Sequence, residues 1–311
     1  MVNGLFFDSA TMYYRAFFAV PDSVRAPDGT PSGAVRGFLD MAATIITQYP
    51  AELIAFAWDD DWRPDWRVEL IPSYKTHRLE PDSRISGASD EEVPDDLAIQ
   101  ITAIAEILDA IGVARLGEPG FEADDILGSL VAQQSVATTV VTGDKDLFQL
   151  VNDATQSRVL SITKGLKNLF VVTDDYLLDN FGVTGSQYAG FAALRGDPSD
   201  GLPGVKGIGA KGAANLIAAA GSLERLIEVV LEDEELISPA HRRKLLEQIE
   251  EIPNMLQVVR VRTDATVTKD LRQLLEIADV AALRDLSTEW GVERQVNRLL
   301  VALNLPKLGS V

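Results

Sequence analysis

The chain lacks several residue types, and each absence excludes a class of chemistry. Its 311 residues include no cysteine, which excludes disulfide bonds and metal sites with thiolate ligands. Only two histidines occur, His77 and His241, so the sequence argues against a histidine base or a histidine-ligated zinc centre. No apolar run is long enough to span a membrane, and no basic leader precedes Asp8. We expect a soluble, cytoplasmic protein with no membrane partner.

Positive charge is also scarce. The chain has 28 Lys and Arg against 47 Asp and Glu, a formal net charge of -19. Phosphate binding favours a basic surface, so this balance alone argues against nucleic acid as a partner. Net charge describes the long-range field, however, and acidic residues can also serve as metal ligands. Where the acidic residues lie therefore decides what the charge means.

Apolar segments with two different periodicities alternate along the first half of the chain. A hydrophobic fraction of 46% is sufficient for a sizeable core. The predicted strands are Leu5–Phe7, Leu53–Trp58 and Thr138–Thr142, and the predicted helices between them are Gly33–Tyr49, Leu97–Leu108 and Asp124–Gln133. This order predicts an α/β fold with a mainly parallel sheet in a domain spanning 1–175. Residues 176–311 are predicted to be mainly helical, with helices near 187–194, 210–219, 222–232, 239–250 and 294–303.

Acidic residues follow the predicted strands or begin the predicted helices. They are Asp8, Asp59, Glu122, Asp124, Asp125, Asp144, Asp146, Asp197 and Asp200. Each one alone is compatible with a turn or a helix cap. Together, at the carboxyl edge of a parallel sheet, they would repel one another unless a cation neutralised them. Oxygen ligands without Cys or His suit Mg²⁺ or Mn²⁺, and paired ions of this kind hydrolyse phosphodiesters.

The segment Leu202–Leu216 contains a glycine-rich turn with two lysines, and the helix predicted at 210–219 begins within this segment. Its glycines permit close approach to a ligand, and the helix N-terminus presents free N–H groups to an anion. We therefore predict a helix-hairpin-helix at 202–219 that binds a nucleic-acid backbone without reading its sequence. An ordinary helical hairpin with a glycine cap is the alternative. The residues predicted to contact the backbone are Gly204, Lys206, Gly207, Gly209 and Lys211.

These motifs resemble the 5′-nuclease, or flap endonuclease, superfamily, most closely the 5′–3′ exonuclease domain of bacterial DNA polymerase I. The resemblance lies in FFDSATMYYRAFFA, AFAWDDDWRPDWRVELIPSYKTHR, GFEADDILGSL, VVTGDKDLFQLV and LRGDPSDGLPGVKGIGAKGAANL. These stretches follow the family order and cover most of the chain to about residue 220. No polymerase domain follows them. The resemblance therefore implies a stand-alone member with a PIN-like core, a helical arch at about 75–97 and a C-terminal helix-three-turn-helix.

The resemblance also assigns roles to individual residues. The nine acidic residues would hold two divalent ions, with enough ligands for a third, and hairpin carbonyls would hold a K⁺ ion. Lys75 and Arg78 match the active-site basic pair, although from the residues alone a solvated loop pair is the preferred interpretation. Tyr14 and Arg15 match a first-helix motif that contacts DNA, and Tyr14 fits a core position as well.

The expected function is that of a structure-specific 5′ nuclease, a flap endonuclease and 5′–3′ exonuclease acting as a monomer on branched, flapped or nicked DNA in replication and repair. Three alternatives stay open: a related nuclease for RNA or RNA–DNA hybrids, a non-catalytic junction binder, and a phosphatase with an aspartate nucleophile. The chain departs from the family pattern in two places. The segment 79–96 is longer and more acidic than usual, and Gly201 replaces a common Asn, for which we expect a modest local effect.

Overall fold

The computed structural model describes residues 3–21, 23–79, 93–232, 235–266, 269–272 and 276–310, so most of the predicted arch lies outside the described residues. Its strands are β1 (Asn3–Asp8), β2 (Leu53–Ala57), β3 (Ala114–Leu116), β4 (Ala137–Thr142), β5 (Ser157–Ser161) and β6 (Phe170–Val172). Its α-helices are α1 (Ser9–Ala19), α2 (Gly33–Gln48), α3 (Asp65–Leu70), α4 (Asp95–Ile111), α5 (Ala123–Gln133), α6 (Asp174–Phe181), α7 (Gly185–Arg195), α8 (Ala210–Ala220), α9 (Leu223–Leu231), α10 (Pro239–Leu246), α11 (Ile252–Val259), α12 (Val280–Glu289) and α13 (Glu293–Ala302).

One six-stranded sheet organises the first half of the chain, in the order β3-β2-β1-β4-β5-β6. Neighbouring strands from β3 to β5 are parallel, and only β6 runs antiparallel to its neighbour. The predicted α/β fold with a mainly parallel sheet is therefore confirmed, as are the three predicted strands. The carboxyl ends of β2, β1 and β4 lie side by side, because Asp8 pairs with Ala57 while Phe7 pairs with Val141.

Helices cover both faces of the sheet, which explains why β1 is apolar along its length. Leu5 and Phe7 point into a core formed with α1, α2 and α4, whereas Phe6 points into a second core formed with α5 and α7. Alternate side chains of a strand face opposite sides, so a strand buried on both faces needs an unbroken apolar run. The sheet is thus fixed between two helical layers, and its carboxyl edge is held in place.

The helices of the second half do not form one separate layer. The helices α7 to α11 share the core of Phe6, whereas α12 and α13 pack beside α2 and α4 through Leu283, Val296 and Leu299. The last two helices of the chain therefore pack against helices of its first half. The division at residue 175 stays a prediction.

Most of the predicted helices are confirmed within a few residues. The exception is 239–250, where α10 ends at Leu246 and a separate helix, α11, begins at Ile252. The helices α3, α6 and α12 were not predicted. No helix in the described part of the chain is long and apolar enough to cross a membrane.

Candidate active site

A cavity of about 850 Å³ opens at the carboxyl edge of the sheet. Basic and hydroxyl side chains share its wall with the acidic ones, notably Arg15, Lys75, Arg78 and Lys145. The structure thus brings together most of the predicted metal ligands. The acidic residues lining the cavity are Asp8, Asp59, Glu122, Asp124, Asp144, Asp146 and Asp197.

Backbone geometry explains why these carboxylates converge. Asp8 is the last residue of β1, Asp59 follows β2, and Asp144 follows β4. Parallel strands end at the same edge of a sheet, so side chains at those ends become neighbours. The N-terminus of α5 adds Glu122 and Asp124 from the side. We call Asp8, Asp59, Glu122, Asp124 and Asp144 the inner cluster.

Asp8 is buried and is oriented by hydroxyl groups. Its Oδ1 accepts the backbone N–H of Thr11 at 3.0 Å, which caps α1. Its Oδ2 accepts the hydroxyls of Thr11 at 2.5 Å and Thr142 at 2.6 Å. These neutral donors fix the direction of the carboxylate without supplying a positive charge. Within the described part of the chain, Asp8 makes no ion pair.

Three members of the inner cluster resist ionisation. The pKa of Asp59 is raised to about 7, chiefly by burial and with smaller contributions from the Glu122 and Asp8 charges, against the opposing effects of Lys75 and the Ala123 N–H. Burial also raises the pKa of Asp124 well above its ordinary value, with the charges of Asp144 and Asp8 adding to this effect, and it raises the pKa of Asp144. Buried acids that are crowded together behave this way. A bound cation would reverse these shifts.

Glu122 is the member of the inner cluster that has protein cations beside it. Its Oε2 lies 2.7 Å from Nζ of Lys75, and its Oε1 lies 3.4 Å from the guanidinium of Arg67. The hydroxyl of Tyr74 donates to both oxygens at 3.0 and 3.1 Å. All four side chains are buried. Burial lowers the pKa of Lys75, but the surrounding negative groups, Glu122 foremost, together outweigh it, and the pKa of Lys75 is raised.

Asp125 is a correction to the predicted ligand set. It does not line the cavity, and its carboxylate is completely buried. Its two oxygens accept bonds from the Arg67 guanidinium at 2.7 and 2.8 Å, and from the backbone N–H groups of Arg262 and Glu122 at 2.8 and 3.1 Å. With both oxygens occupied by donors, it anchors the start of α5 instead of facing an ion. We therefore remove Asp125 from the candidate ligands.

A second group of carboxylates, Asp146, Asp197 and Asp200, forms what we call the outer cluster. Here two members have an arginine each: Asp200 lies 2.5 Å from Arg78, and Asp197 lies 3.2 Å from Arg195. Burial raises the pKa of Asp146 well above its ordinary value, with further contributions from Asp144, Asp200 and Asp197. Asp200 lies behind Arg78 and does not itself line the cavity.

The chemistry of these side chains fits divalent cations, but their arrangement is not yet a closed cage. Within the described ranges, no three acidic or histidine side chains are already placed to hold a metal ion. Threonine, lysine and arginine donors occupy their oxygens instead. The ligand atoms are all oxygens, which suits Mg²⁺ or Mn²⁺, and the pKa values raised by burial and by neighbouring carboxylates favour the binding of an added cation. The fit is therefore one of chemistry and location.

Both members of the predicted basic pair line the cavity. Lys75 adopts a left-handed backbone conformation with φ +49°, and its N–H donates to the carbonyl of Asp200 at 2.9 Å. A non-glycine residue tolerates this conformation at a cost, which is met here by the Asp200 and Glu122 contacts. The ammonium consequently points at the inner cluster while its backbone is tied to the outer one. The catalytic role of the pair stays a prediction.

Tyr14 and Arg15 also line the cavity, on the exposed side of α1. The guanidinium of Arg15 donates to the carbonyl of Thr163 at 3.1 Å. Tyr14 is half-buried, so it is neither wholly core nor wholly surface. Sequence reasoning missed Lys145 at the cavity wall, as well as Arg67, Tyr74 and Arg195 behind it. All four fall within the motifs quoted for the resemblance, but nothing in the pattern distinguishes a buried supporting side chain from a solvated one.

The glycine-lysine hairpin connects α7 to α8 as predicted. Gly204 and Gly207 have φ values of +62° and +82°, which L-residues seldom adopt. Lys206 and Lys211 are exposed at the turn and at the start of α8. A further cation comes from α10, where Nζ of Lys244 donates to the carbonyl of Gly207 at 2.7 Å. The hairpin has the shape and charge expected for a phosphate-binding turn.

Comparison with known protein families divides the chain into two matched parts. The family model described as the 5′-3′ exonuclease N-terminal resolvase-like domain matches residues 3–182. The model described as the 5′-3′ exonuclease C-terminal SAM fold matches residues 183–281. Together they include every residue of the inner and outer clusters.

Individual relatives agree with these matches. A 5′-3′ exonuclease of Streptomyces coelicolor is 45% identical over 297 residues, covering 95% of this chain and 98% of that protein. DNA polymerase I of Mycobacterium bovis is 38% identical over 227 residues, covering 72% of this chain but 24% of the polymerase. A solved structure of the T5 5′-exonuclease with bound zinc ions has the same fold, with a TM-score of 0.63 at 19% identity, covering 97% of this chain and 99% of that one.

Proposed function

The chain belongs to the 5′-3′ exonuclease family of phosphodiester-cleaving nucleases, and we propose that it is a structure-specific enzyme that removes flaps and 5′ ends from branched, flapped or nicked DNA in replication and repair. One observation carries the proposal: a single cavity at the end of the sheet is lined both by carboxylates and by Lys75 and Arg78. This combination suits a phosphodiester that must be bound and cleaved.

We propose that Mg²⁺ or Mn²⁺ ions bind at two places, with enough ligands for a third ion. When bound, such ions supply an activated water and neutralise the charge that develops on the phosphate. The inner cluster would hold one ion, chiefly through Asp8, Asp124 and Asp144. The outer cluster would hold the second through Asp146, Asp197 and Asp200.

The protein's own cations would act on the scissile phosphate. Lys75 is held against Glu122 at 2.7 Å and Arg78 against Asp200 at 2.5 Å, so each is already oriented. Such fixed cations stabilise transition-state charge without having to reorganise. Tyr14 and Arg15, on the neighbouring wall, would contact the strand that enters the cavity.

The hairpin would grip the duplex beside the cavity through its backbone. The N–H groups at the start of α8, together with Lys206 and Lys211, can bind phosphate oxygens without reading bases. A K⁺ ion held by hairpin carbonyls is also part of the proposal. Because Lys244 already occupies the Gly207 carbonyl, that ion would use other carbonyls of the turn.

A labelled 5′-flap duplex tests the proposal directly. We expect cleavage near the flap base in Mg²⁺ or Mn²⁺ and none in EDTA. The double variant Asp144→Asn with Asp146→Asn should still bind the flap, and its failure to cleave would separate chemistry from binding. An absence of cleavage by the wild type in either metal would refute the nuclease. If an RNA flap of the same sequence were cleaved faster, RNA and not DNA would be the preferred substrate.

A further inference from the structure

One arginine at the edge of the active site has two neighbours that compete for it. Tyr188, Phe191 and Arg195 lie three and four residues apart on α7 and therefore share one face of the helix. The guanidinium of Arg195 lies 5.3 Å from the centre of the Phe191 ring. It donates to Oδ2 of Asp197 at 3.2 Å, and its Nε donates to the Gly196 carbonyl at 3.0 Å. Its head thus rests between an aromatic wall and the outer cluster.

The hydroxyl of Tyr188 lies close to the same guanidinium but is not hydrogen-bonded to it in good geometry. Tyr188 is completely buried, and within the described part of the chain its hydroxyl makes no hydrogen bond that meets distance and angle criteria. Burial raises the pKa of Tyr188, and the nearby Arg195 opposes this shift. A buried hydroxyl without a hydrogen bond is costly and therefore uncommon. Its position suggests that it serves a second arrangement of the arginine.

Asp197 is the carboxylate for which a bound cation and Arg195 would compete. Its Oδ1 accepts the N–H and the hydroxyl of Ser199 at 2.8 and 2.5 Å, which leaves Oδ2 as the oxygen shared with Arg195. A divalent ion bound by Asp197 would repel the guanidinium at close range. The arginine must then either remain and weaken the ion or move away.

We propose that Arg195 is a positioning residue with two places, on Asp197 while the outer cluster is free of divalent cations and on the Tyr188 hydroxyl once a cation binds there. The inference rests on the proposed metal-dependent function. In the first place, the arginine supplies the positive charge that the outer cluster needs. In the second, it satisfies the buried hydroxyl and relieves repulsion with the ion.

This arrangement sets an order of cation binding. Arg195 stands in for the outer cation, whereas the inner carboxylates have no comparable substitute on Asp8 or Asp124. The inner cluster therefore fills at lower cation concentration than the outer one. The affinity of the outer cluster for a cation equals the affinity of its carboxylates less the free energy needed to displace Arg195. Residues 188 and 195 therefore change this affinity without binding the ion themselves.

Cation titration of the intact protein tests the inference without measuring activity. Ca²⁺ binding followed by calorimetry, and Mn²⁺ binding followed by electron paramagnetic resonance, should each resolve a tighter and a weaker class of site in the wild type. Arg195→Met keeps an apolar stem against Phe191 but removes the charge. We expect it to tighten the weaker class about tenfold and to leave the tighter class unchanged. Arg195→Lys, which keeps the charge, should stay close to the wild type.

A second variant tests whether the Tyr188 hydroxyl accepts the displaced Arg195. Tyr188→Phe should leave the melting temperature of the metal-free protein unchanged or slightly higher, because an unsatisfied group is removed. It should nevertheless weaken the outer class about threefold, since the displaced arginine loses its acceptor. Combined with Arg195→Met, the tyrosine change should have no further effect. Tyr176→Phe, on another helix, is the matched control and should alter neither class.

Two results would overturn the inference while leaving the nuclease intact. One is a two-class titration that neither variant changes. The other is weaker flap binding by Arg195→Met without divalent ions, together with an unchanged titration, which would make Arg195 a substrate contact. If the wild type bound no divalent ion at all, the proposed function would fail as well, and the two failures are therefore distinguishable.

Discussion

The inner and outer clusters are both acidic, but they deal with repulsion differently. In the inner cluster, Asp8 is oriented by neutral hydroxyls, and burial and crowding raise the pKa of Asp59 and Asp124. In the outer cluster, Arg78 and Arg195 each neutralise one carboxylate. Apart from Glu122, which pairs with Lys75 and Arg67, the inner carboxylates make no ion pair within the described part of the chain, whereas two of the three outer carboxylates each pair with an arginine. The difference indicates that the two proposed ion sites are unequal before any metal binds.

The largest expected effect separates the two clusters by activity. Asp124→Asn should reduce flap cleavage roughly 10³-fold, a loss of about 4 kcal/mol in transition-state stabilisation, because no other residue replaces its charge. Asp197→Asn should cost roughly tenfold to a hundredfold, since Arg195 already offsets that charge in the free protein. Single-turnover cleavage at saturating Mg²⁺ measures both. Equal losses would show that the two clusters contribute alike.

The next effect distinguishes Asp125 from its neighbour Asp124. Asp125→Asn should lower the free energy of unfolding by about 3 kcal/mol, because Arg67 would lose its buried partner. Divalent-ion affinity of the folded protein should be retained, whereas Asp124→Asn should reduce it. Denaturant unfolding and calorimetric titration at low temperature give the two readouts. Replacing the pair together, as Arg67→Met with Asp125→Leu, should restore part of the stability. Loss of ion binding in Asp125→Asn alone would return it to the ligand set.

A smaller effect is expected where the two clusters are joined. Gly201 has φ +70°, and a side chain there would collide with the Ser73 carbonyl, two residues before Lys75. Gly201→Asn should therefore destabilise the protein by about 1–3 kcal/mol and shift the Lys75 loop. This differs from the modest effect expected from the sequence, since Asn is common here in the family. Thermal unfolding and cleavage rates of Gly201→Asn, with Gly221→Asn on an open turn as control, decide between the two expectations.

The smallest effect is a pH dependence that originates in the inner cluster. Burial raises the pKa of Asp59 from 3.8 to about 7. An acid whose pKa is raised on folding stabilises the folded state while protonated, so this contribution is complete below about pH 3.8 and is lost as the pH rises through about 7. The metal-free protein should therefore melt a few degrees lower at pH 8 than at pH 5, and Mg²⁺ should restore more stability at pH 8. If Mg²⁺ raised the melting temperature equally at pH 5 and at pH 8, the raised pKa of Asp59 would not be the cause.

Much of the fold was accessible from local patterns. The unbroken apolar run of β1 and the β-branched run of β4 predicted buried parallel strands, and both are confirmed. The strands β3, β5 and β6 and the helices α3, α6 and α12 were missed. The strands β3 and β6 have three residues each, which carry little periodicity, and α12 buries few of its side chains. The break between α10 and α11 was missed as well, since the residues between them remain compatible with a helix.

The sequence by itself determined which residues stand at strand ends and helix starts, because those positions follow from local periodicity and turn chemistry. It therefore identified the carboxylates of both clusters, the basic pair and the hairpin as candidates. Only the tertiary structure decided which of them face the same space. Asp124 and Asp125 are adjacent in the chain, yet one lines the cavity and the other is bonded to Arg67, because successive positions on a helix point about 100° apart. The packing of α3 and α7 around the edge of the sheet also decided which carboxylates pair with an arginine and which do not.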